Sequence, residues 1–229
     1  MKPKVSIIIP AKNGADYLKD CLEMVFRQKA AFAFDIIIVD SGSTDKTLEI
    51  IKKFKDIEQH PELLIAMQLQ RSGLISKSHE LVNHIQQNGK ELPQVKFFQI
   101  PPLEFGHGKT RNLAASKTYS EYLVFLTQDA IPADENWLAK IIEPMEKDEE
   151  VAWVFGKHLP KKNCDPFQRR MLGDFMDLFG KEIKTWKLEE QGDKDEFEKR
   201  KHELSFFSNV NSAIRRSIWE KIPDRKSVV

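Results

Sequence analysis

Only two of the 229 residues are cysteines, Cys21 and Cys164. They are too few and too far apart for a disulfide framework or a zinc site. No apolar run approaches the roughly 20 residues of a membrane-spanning helix. The opening MKPKV leads straight into strand material, so no signal peptide is expected. Charge of one sign is also lacking: 36 Lys+Arg oppose 35 Asp+Glu, a net charge of +1. That balance gives no electrostatic footprint for nucleic acid. The six histidines include no pair spaced i, i+4 with a glutamate between, which excludes a zincin site. Internal repeats and low-complexity tracts are absent. The expectation is a cytoplasmic protein with enough chain for one large core or two fused halves.

What is present reads as alternating strand and helix. Residues 5–10 (VSIIIP) and 34–40 (FDIIIVD) are continuous apolar runs, as strands covered on both faces require. Between them a helix from about 16 to 29 carries Leu18, Cys21, Leu22, Val25 and Phe26 on one stripe. After residues 41–45 (SGSTD), another helix carries Leu48, Ile51 and Phe54. This spacing predicts parallel βαβ units and an α/β fold, with Pro10 and Asp40 at the same edge of the sheet. Further strands are expected at 95–100, 122–126, 151–156 and 206–216. Helices are expected after Asn112, after Asp134 and from 217. Residues 63–67 and a stripe from 74 to 85 read ambiguously, with Asn88-Gly89 as a stop. Residues 166–187 form a long amphipathic pattern with two readings: a helix touching a membrane surface, or, preferred, a core helix. Residues 189–203 are charge-dense and nearly free of core residues.

Three carboxylates stand out. Asp40 and Asp129 each follow a buried strand, and ligands of open α/β sheets sit at the carboxyl ends of strands. Asp129 closes the triplet Thr127-Gln128-Asp129, and Pro132 prevents the strand from continuing. Its bland reading is a turn aspartate ahead of the next helix. Asp45 could equally be a carboxylate at a helix N-terminus. Asp40, ending a run of branched apolar residues, needs a partner to offset its desolvation. Opposite charge comes from residues 106–112 (GHGKTRN), where glycines allow close backbone approach and Lys109 and Arg111 offer phosphate partners. The G-x-x-x-x-G-K-[ST] spacing of a phosphate-binding loop is absent, so ATP hydrolysis is not expected. Acidic strand ends beside a basic glycine loop describe a nucleotide diphosphate site with a divalent ion at Asp129.

Five segments occurring in order, 5–10, 38–45, 105–112, 125–132 and 209–216, resemble the inverting family-two glycosyltransferases of the GT-A fold. The similarity is greatest to the rhamnosyltransferase-like branch that builds surface polysaccharides. The resemblance implies a mostly parallel, Rossmann-like sheet flanked by helices. Residues 1–132 would form the donor half and 133–229 the acceptor half. It implies a nucleotide-diphosphate sugar donor, with rhamnose from dTDP-rhamnose as the expected sugar, and transfer with inversion to a saccharide or lipid-linked acceptor. Pro10, Asp40, Asp45, Lys109 and Arg111 would bind the donor nucleotide, Asp129 would hold Mg²⁺ or Mn²⁺, and Asn211 would border the acceptor. Localisation would be cytoplasmic, with a peripheral contact at the inner face of the membrane as a further option.

The chain departs from the family pattern in three places. The D-x-D position reads Thr127-Gln128-Asp129, with one carboxylate instead of two. Residues 55–94 exceed the expected connection and read as a helical insertion. The family's catalytic base lies in a Glu-Asp motif after the segment at 209–216, and no such motif precedes Val229. The catalytic residue is therefore unassigned and truncation is expected. The alternative reading is a non-catalytic, nucleotide-sugar-binding remnant.

Overall fold

Two isoleucine triplets lie at the centre of the molecule. In this computed structural model, which describes residues 2–59, 92–161, 163–180, 184–185, 198–199, 201 and 208–224, they sit in β1 (Val5–Ala11) and β2 (Phe34–Asp40). The strands pair in parallel with Val5 opposite Phe34 and Ala11 opposite Asp40. Alternate residues of a strand face opposite ways, and here both ways are apolar. Ile7, Ile9, Ile36 and Ile38 enter one core cluster, while Ile8, Ile37 and Val39 enter the other.

The sheet has six strands in the order β3-β2-β1-β4-β6-β5. β3 (Gln94–Gln99) and β4 (Tyr122–Leu126) flank the central pair in parallel. β6 (Asn211–Arg215) runs antiparallel to both β4 and β5 (Trp153–Phe155). Residues on both sides of position 132 thus build one sheet. The expected mixed, mostly parallel α/β architecture is the one observed.

One face of the sheet is covered by α1 (Ala15–Phe26), α2 (Thr47–Gln59) and, after β4, a helix at Trp137–Lys147. Their buried stripes are Leu18, Cys21, Leu22 and Val25; Ile51, Phe54 and Ile57; and Leu138, Ile141, Ile142 and Met145. Phe26 and Phe54 meet with ring centroids 5.2 Å apart. The other face is covered by α3 (His107–Ala115), through Ala114 and Ala115. The helix at 137–147 is α4.

Two further helices lie beyond. α5 (Pro166–Asp177) begins with Asp165 accepting from the backbone N–H of Phe167 and Gln168, and Pro166 fills the first helical position. It buries only Met176. Phe167, Met171 and Leu178 are 70%, 57% and 70% exposed, with Phe175 on the same stripe. Among the described residues α5 is thus not a core helix. α6 (Arg216–Lys221) packs Ile218 and Trp219 on the α3 side.

A polar chain crosses the lower sheet. Ser6, opposite Asp35 in the β1/β2 ladder, donates to its carboxylate and bonds Thr118 Oγ1 at 2.6 Å. Lys96 Nζ reaches the other Asp35 oxygen at 2.7 Å. Ser6, Asp35 and Thr118 are buried. The insertion expected at 55–94 overlaps α2 and β3 at its ends, and residues 60–91 lie outside the described residues, as do the readings at 63–67 and 74–85 and most of 189–203.

Candidate functional site

All four parallel strands end at one edge, and the order reverses there. β2 and β3 lie to one side of β1, and β4 lies to the other. Such a reversal opens a crevice between the loops that leave in opposite directions. Pro10 and Asp40 stand in the last residues of β1 and β2, Asp45 and Asp129 in the loops after β2 and β4, and Lys109 and Arg111 in the first turns of α3, which follows β3.

The loops after β1 and β2 are laced to each other. Asn13, at φ 47°, takes a left-handed conformation uncommon outside glycine. Its backbone N–H donates to Ser43 Oγ at 2.8 Å, and its side-chain oxygen accepts from the Thr44 N–H at 2.9 Å. The Gly14 N–H donates to Thr47 Oγ1 at 2.8 Å. Asp45 accepts from the Ala15 N–H at 3.1 Å and the Thr47 N–H at 3.0 Å. The Thr47 hydroxyl holds the Asp45 carboxyl below its ordinary value, the two backbone N–H groups add to this, and partial burial opposes them. Asp40, fully buried, accepts from the Gly42 and Ser43 N–H groups at 3.0 Å each and from the Ser43 hydroxyl. These bonds supply the partners that a carboxylate ending such a strand requires.

The polar triplet after β4 divides its labour. Gln128 turns back to the first loop: its Oε1 accepts from the Lys12 N–H and its Nε2 donates to the Lys12 carbonyl, both at 2.9 Å. A Cβ at Gly14 would overlap the Gln128 amide, so that position is glycine for close approach. Thr127 continues the β4/β6 contact through its N–H to the Val210 carbonyl at 3.1 Å, while its buried hydroxyl has no partner among the described residues. Asp129 is exposed, and among the described residues no hydrogen bond or ion pair engages it.

No three His, Cys, Asp or Glu side chains converge on a metal position among the described residues. Among the described residues, the segment after β4 offers the exposed Asp129 carboxylate two positions beyond the orphaned Thr127 hydroxyl. This all-oxygen donor set fits a hard divalent ion whose shell is completed by other oxygens.

The basic glycine segment expected as a loop before a helix after Asn112 is itself helical: α3 begins at His107, so Lys109 and Arg111 leave its first turns in different directions. Lys109 is exposed, whereas Arg111 is buried and pairs with Asp224, Nε to Oδ2 at 2.6 Å. Asn211 is also engaged: Trp137 Nε1 donates to its Oδ1 at 2.8 Å, and its carbonyl accepts from the Gly156 N–H at 2.9 Å. His158 follows β5 beside Ser208, with Nε2 and Oγ 3.0 Å apart. Burial lowers its pKa.

Sequence reasoning assigned no role to Gln128 or Asn13 and found in Asp224 only a carboxylate with no support as the base. The only sequence signal for the first is Gly14, which becomes informative once its neighbour across 114 positions is known. A cleft of about 510 Å³ lies at the opposite edge, near Lys4, Arg215 and Arg216. Those cations are spent on Glu146 and on backbone carbonyls.

The sequence pattern described as Glycosyl transferase family 2 matches residues 6–87 and 76–222. The O-antigen chain rhamnosyltransferase RfbN of Salmonella typhimurium is 26% identical over 220 residues, covering 96% of this chain and 54% of that protein. The O-antigen chain rhamnosyltransferase WbaN of Salmonella anatum is 29% identical over 165 residues, covering 72% and 40%. The chain thus spans about half the length of the curated relatives it matches. Among solved structures, mannosyltransferase PcManGT from Pyrobaculum calidifontis, in complex with GDP-Man and Mn²⁺, superposes with a TM-score of 0.55. The identity is 17%, over 97% of this chain and 47% of that one. S. aureus TarS gives 0.57 at 17% identity, over 100% and 52%. At such identities the likeness is one of fold, and the fold is the expected GT-A type.

Proposed function

Since the chain belongs to glycosyl transferase family 2, we propose that it acts as a glycosyltransferase using a nucleotide-diphosphate sugar. The observation that carries this reading is Asp129. It is an exposed carboxylate just after β4, at the reversal of strand order, with no hydrogen bond or ion pair among the described residues, and its neighbour Gln128 bonds a loop already fixed by mutual hydrogen bonds. A site ordered before substrate arrives loses little freedom on binding.

In this reading residues 1–132 bind the donor and residues 133–229 contribute to the acceptor side. Pro10 and the loops held by Asp40 and Asp45 receive the nucleoside. Lys109 and Arg111 serve the diphosphate, and Asn211 shapes the acceptor border by fixing Trp137 and Gly156. Asp129 would hold Mg²⁺ or Mn²⁺, which when bound offsets charge on the nucleoside diphosphate leaving group. In the transfer the acceptor hydroxyl gives its proton to a general base, a role to which no residue of this chain is assigned. Its oxygen bonds to the anomeric carbon from the face opposite the leaving group. The bond from that carbon to the diphosphate oxygen breaks, and the configuration inverts.

Similarity to two O-antigen chain rhamnosyltransferases supports rhamnose as the sugar, and a polysaccharide or lipid-linked saccharide as the acceptor. No described helix is long and apolar enough to cross a membrane. The exposed stripe of α5 supports peripheral contact with the inner membrane surface, where a lipid-linked acceptor would lie.

The test is donor turnover and dTDP binding with and without Mn²⁺, in the unaltered chain and in Asp129→Ala. Loss of the Mn²⁺-dependent affinity in the variant is expected. Unchanged affinity and metal dependence would make Asp129 a turn residue. Nucleotide binding without transfer or hydrolysis would identify a nucleotide-sugar binder instead of an enzyme.

A further inference from the structure

Arg111 leaves α3 toward the interior and is only 7% exposed. Its Nε donates to Asp224 Oδ2 at 2.6 Å. Asp224 is itself held from several directions. The Asn112 side-chain amide grips its peptide on both sides, accepting from the Asp224 N–H at 3.0 Å and donating to the Asp224 carbonyl at 2.8 Å. Trp219 Nε1 fixes the same Asn112 oxygen at 2.9 Å, and Asn209 Nδ2 reaches Asp224 Oδ2 at 3.3 Å. Arg111 of α3 and Asn209 of the turn before β6 thus meet on one carboxylate, while Asn112, braced by Trp219 of α6, holds its backbone.

A buried ion pair is a poor source of stability, because desolvation of both charges offsets their attraction. This one has another feature. It uses the guanidinium at Nε, and the two terminal nitrogens make no hydrogen bond to any described residue. Those nitrogens form the fork that matches phosphate oxygens in two parallel bonds. A long flexible side chain ordinarily loses rotamer freedom when it binds an anion, and one already fixed at Nε loses less.

We propose that Asp224 is a positioning residue. It holds Arg111 by Nε, keeps the buried cation paired when no nucleotide is bound, and leaves the terminal fork for the diphosphate of the donor. The inference rests on the donor-site reading above and adds the residue that orients its arginine.

The test titrates dTDP, UDP and GDP, each with Mn²⁺, against the unaltered chain, Asp224→Asn and Asp224→Glu, below their melting transitions. At least one diphosphate is expected to bind the unaltered protein. Asp224→Asn should weaken that binding by about tenfold, the scale of one charge-assisted hydrogen bond, and Asp224→Glu should recover part of it. A lower melting temperature with equal affinity would make Asp224 merely structural. Tighter binding would make it a competitor of the phosphate. Either result overturns positioning and leaves the donor reading standing, whereas no binding by the unaltered chain overturns both. Should Asp224→Asn not fold, ¹⁵N spectra of the unaltered protein decide. With dTDP the Arg111 Nη signals should move while Nε–H stays protected, and loss of the Nε bond would overturn the proposal.

Discussion

Gln128 and Lys12 exchange two hydrogen bonds of 2.9 Å, the side-chain amide of one standing in for a neighbouring strand against the backbone of the other. The bridge spans the crevice between β1 and β4 and depends on the missing side chain at Gly14. Gly14→Ala should destabilise the protein by about 1–2 kcal/mol, within the usual range for overpacking a fixed neighbour. In a Gln128→Ala background the same change should cost far less. A double-mutant cycle by urea denaturation measures the coupling, and additive effects would show that the two positions do not interact.

Asp45 gives the stability a defined acid dependence. Its folded pKa lies below the ordinary value, chiefly through the Thr47 hydroxyl. Its contribution should therefore be fully present above about pH 4, the unfolded value, and fade as pH falls through the folded value. The difference in urea midpoint between the unaltered protein and Asp45→Asn should stay constant from neutral pH to about 5 and close on further acidification. A difference independent of pH to the acid limit would contradict the assignment.

Arg215 closes the end of α4. Its guanidinium donates to the carbonyls of Met145, Val151 and Asp148 and to the Tyr122 hydroxyl. Arg215→Ala should cost about 2–3 kcal/mol, as expected when buried acceptors lose their donor. Arg215→Lys should recover only part, since an ammonium lacks the planar fork. Chemical denaturation of both variants checks this.

The stripe of α5 yields a prediction with little folding component. Phe167→Asp combined with Met171→Asp should leave stability within about 0.5 kcal/mol, as exposed substitutions do. The same pair should reduce co-sedimentation with phosphatidylglycerol-containing vesicles. Unchanged vesicle binding would remove α5 from the membrane-contact reading.

Much of the architecture was legible because its signals are local. The strands at 5–10, 34–40 and 122–126 announce themselves as apolar runs, and α1 and α2 by their stripes. The strand end at Asp129 was legible for the same reason. The partners of polar groups were not. Nothing near Arg111 in sequence indicates Asp224, 113 positions on, because that pairing follows from where α6 returns against α3. Likewise α5 has the periodicity of a buried helix, and periodicity reports that one face is apolar without reporting what covers it.

The buried chain through Ser6 and Asp35 has a consequence at the far end of the same two strands. Ile-Ile-Ile against Ile-Ile-Ile is nearly indifferent to sliding, because both faces are apolar and a one-residue slip exchanges like for like. The Asp35 carboxylate is not indifferent. Displaced from Ser6 it would meet apolar neighbours at a cost of several kcal/mol. Ser6 and Asp35 therefore act as a registration pin. By setting Ser6 opposite Asp35 they also set Ala11 opposite Asp40, so a polar contact about five residues below the crevice decides which residues stand at its rim.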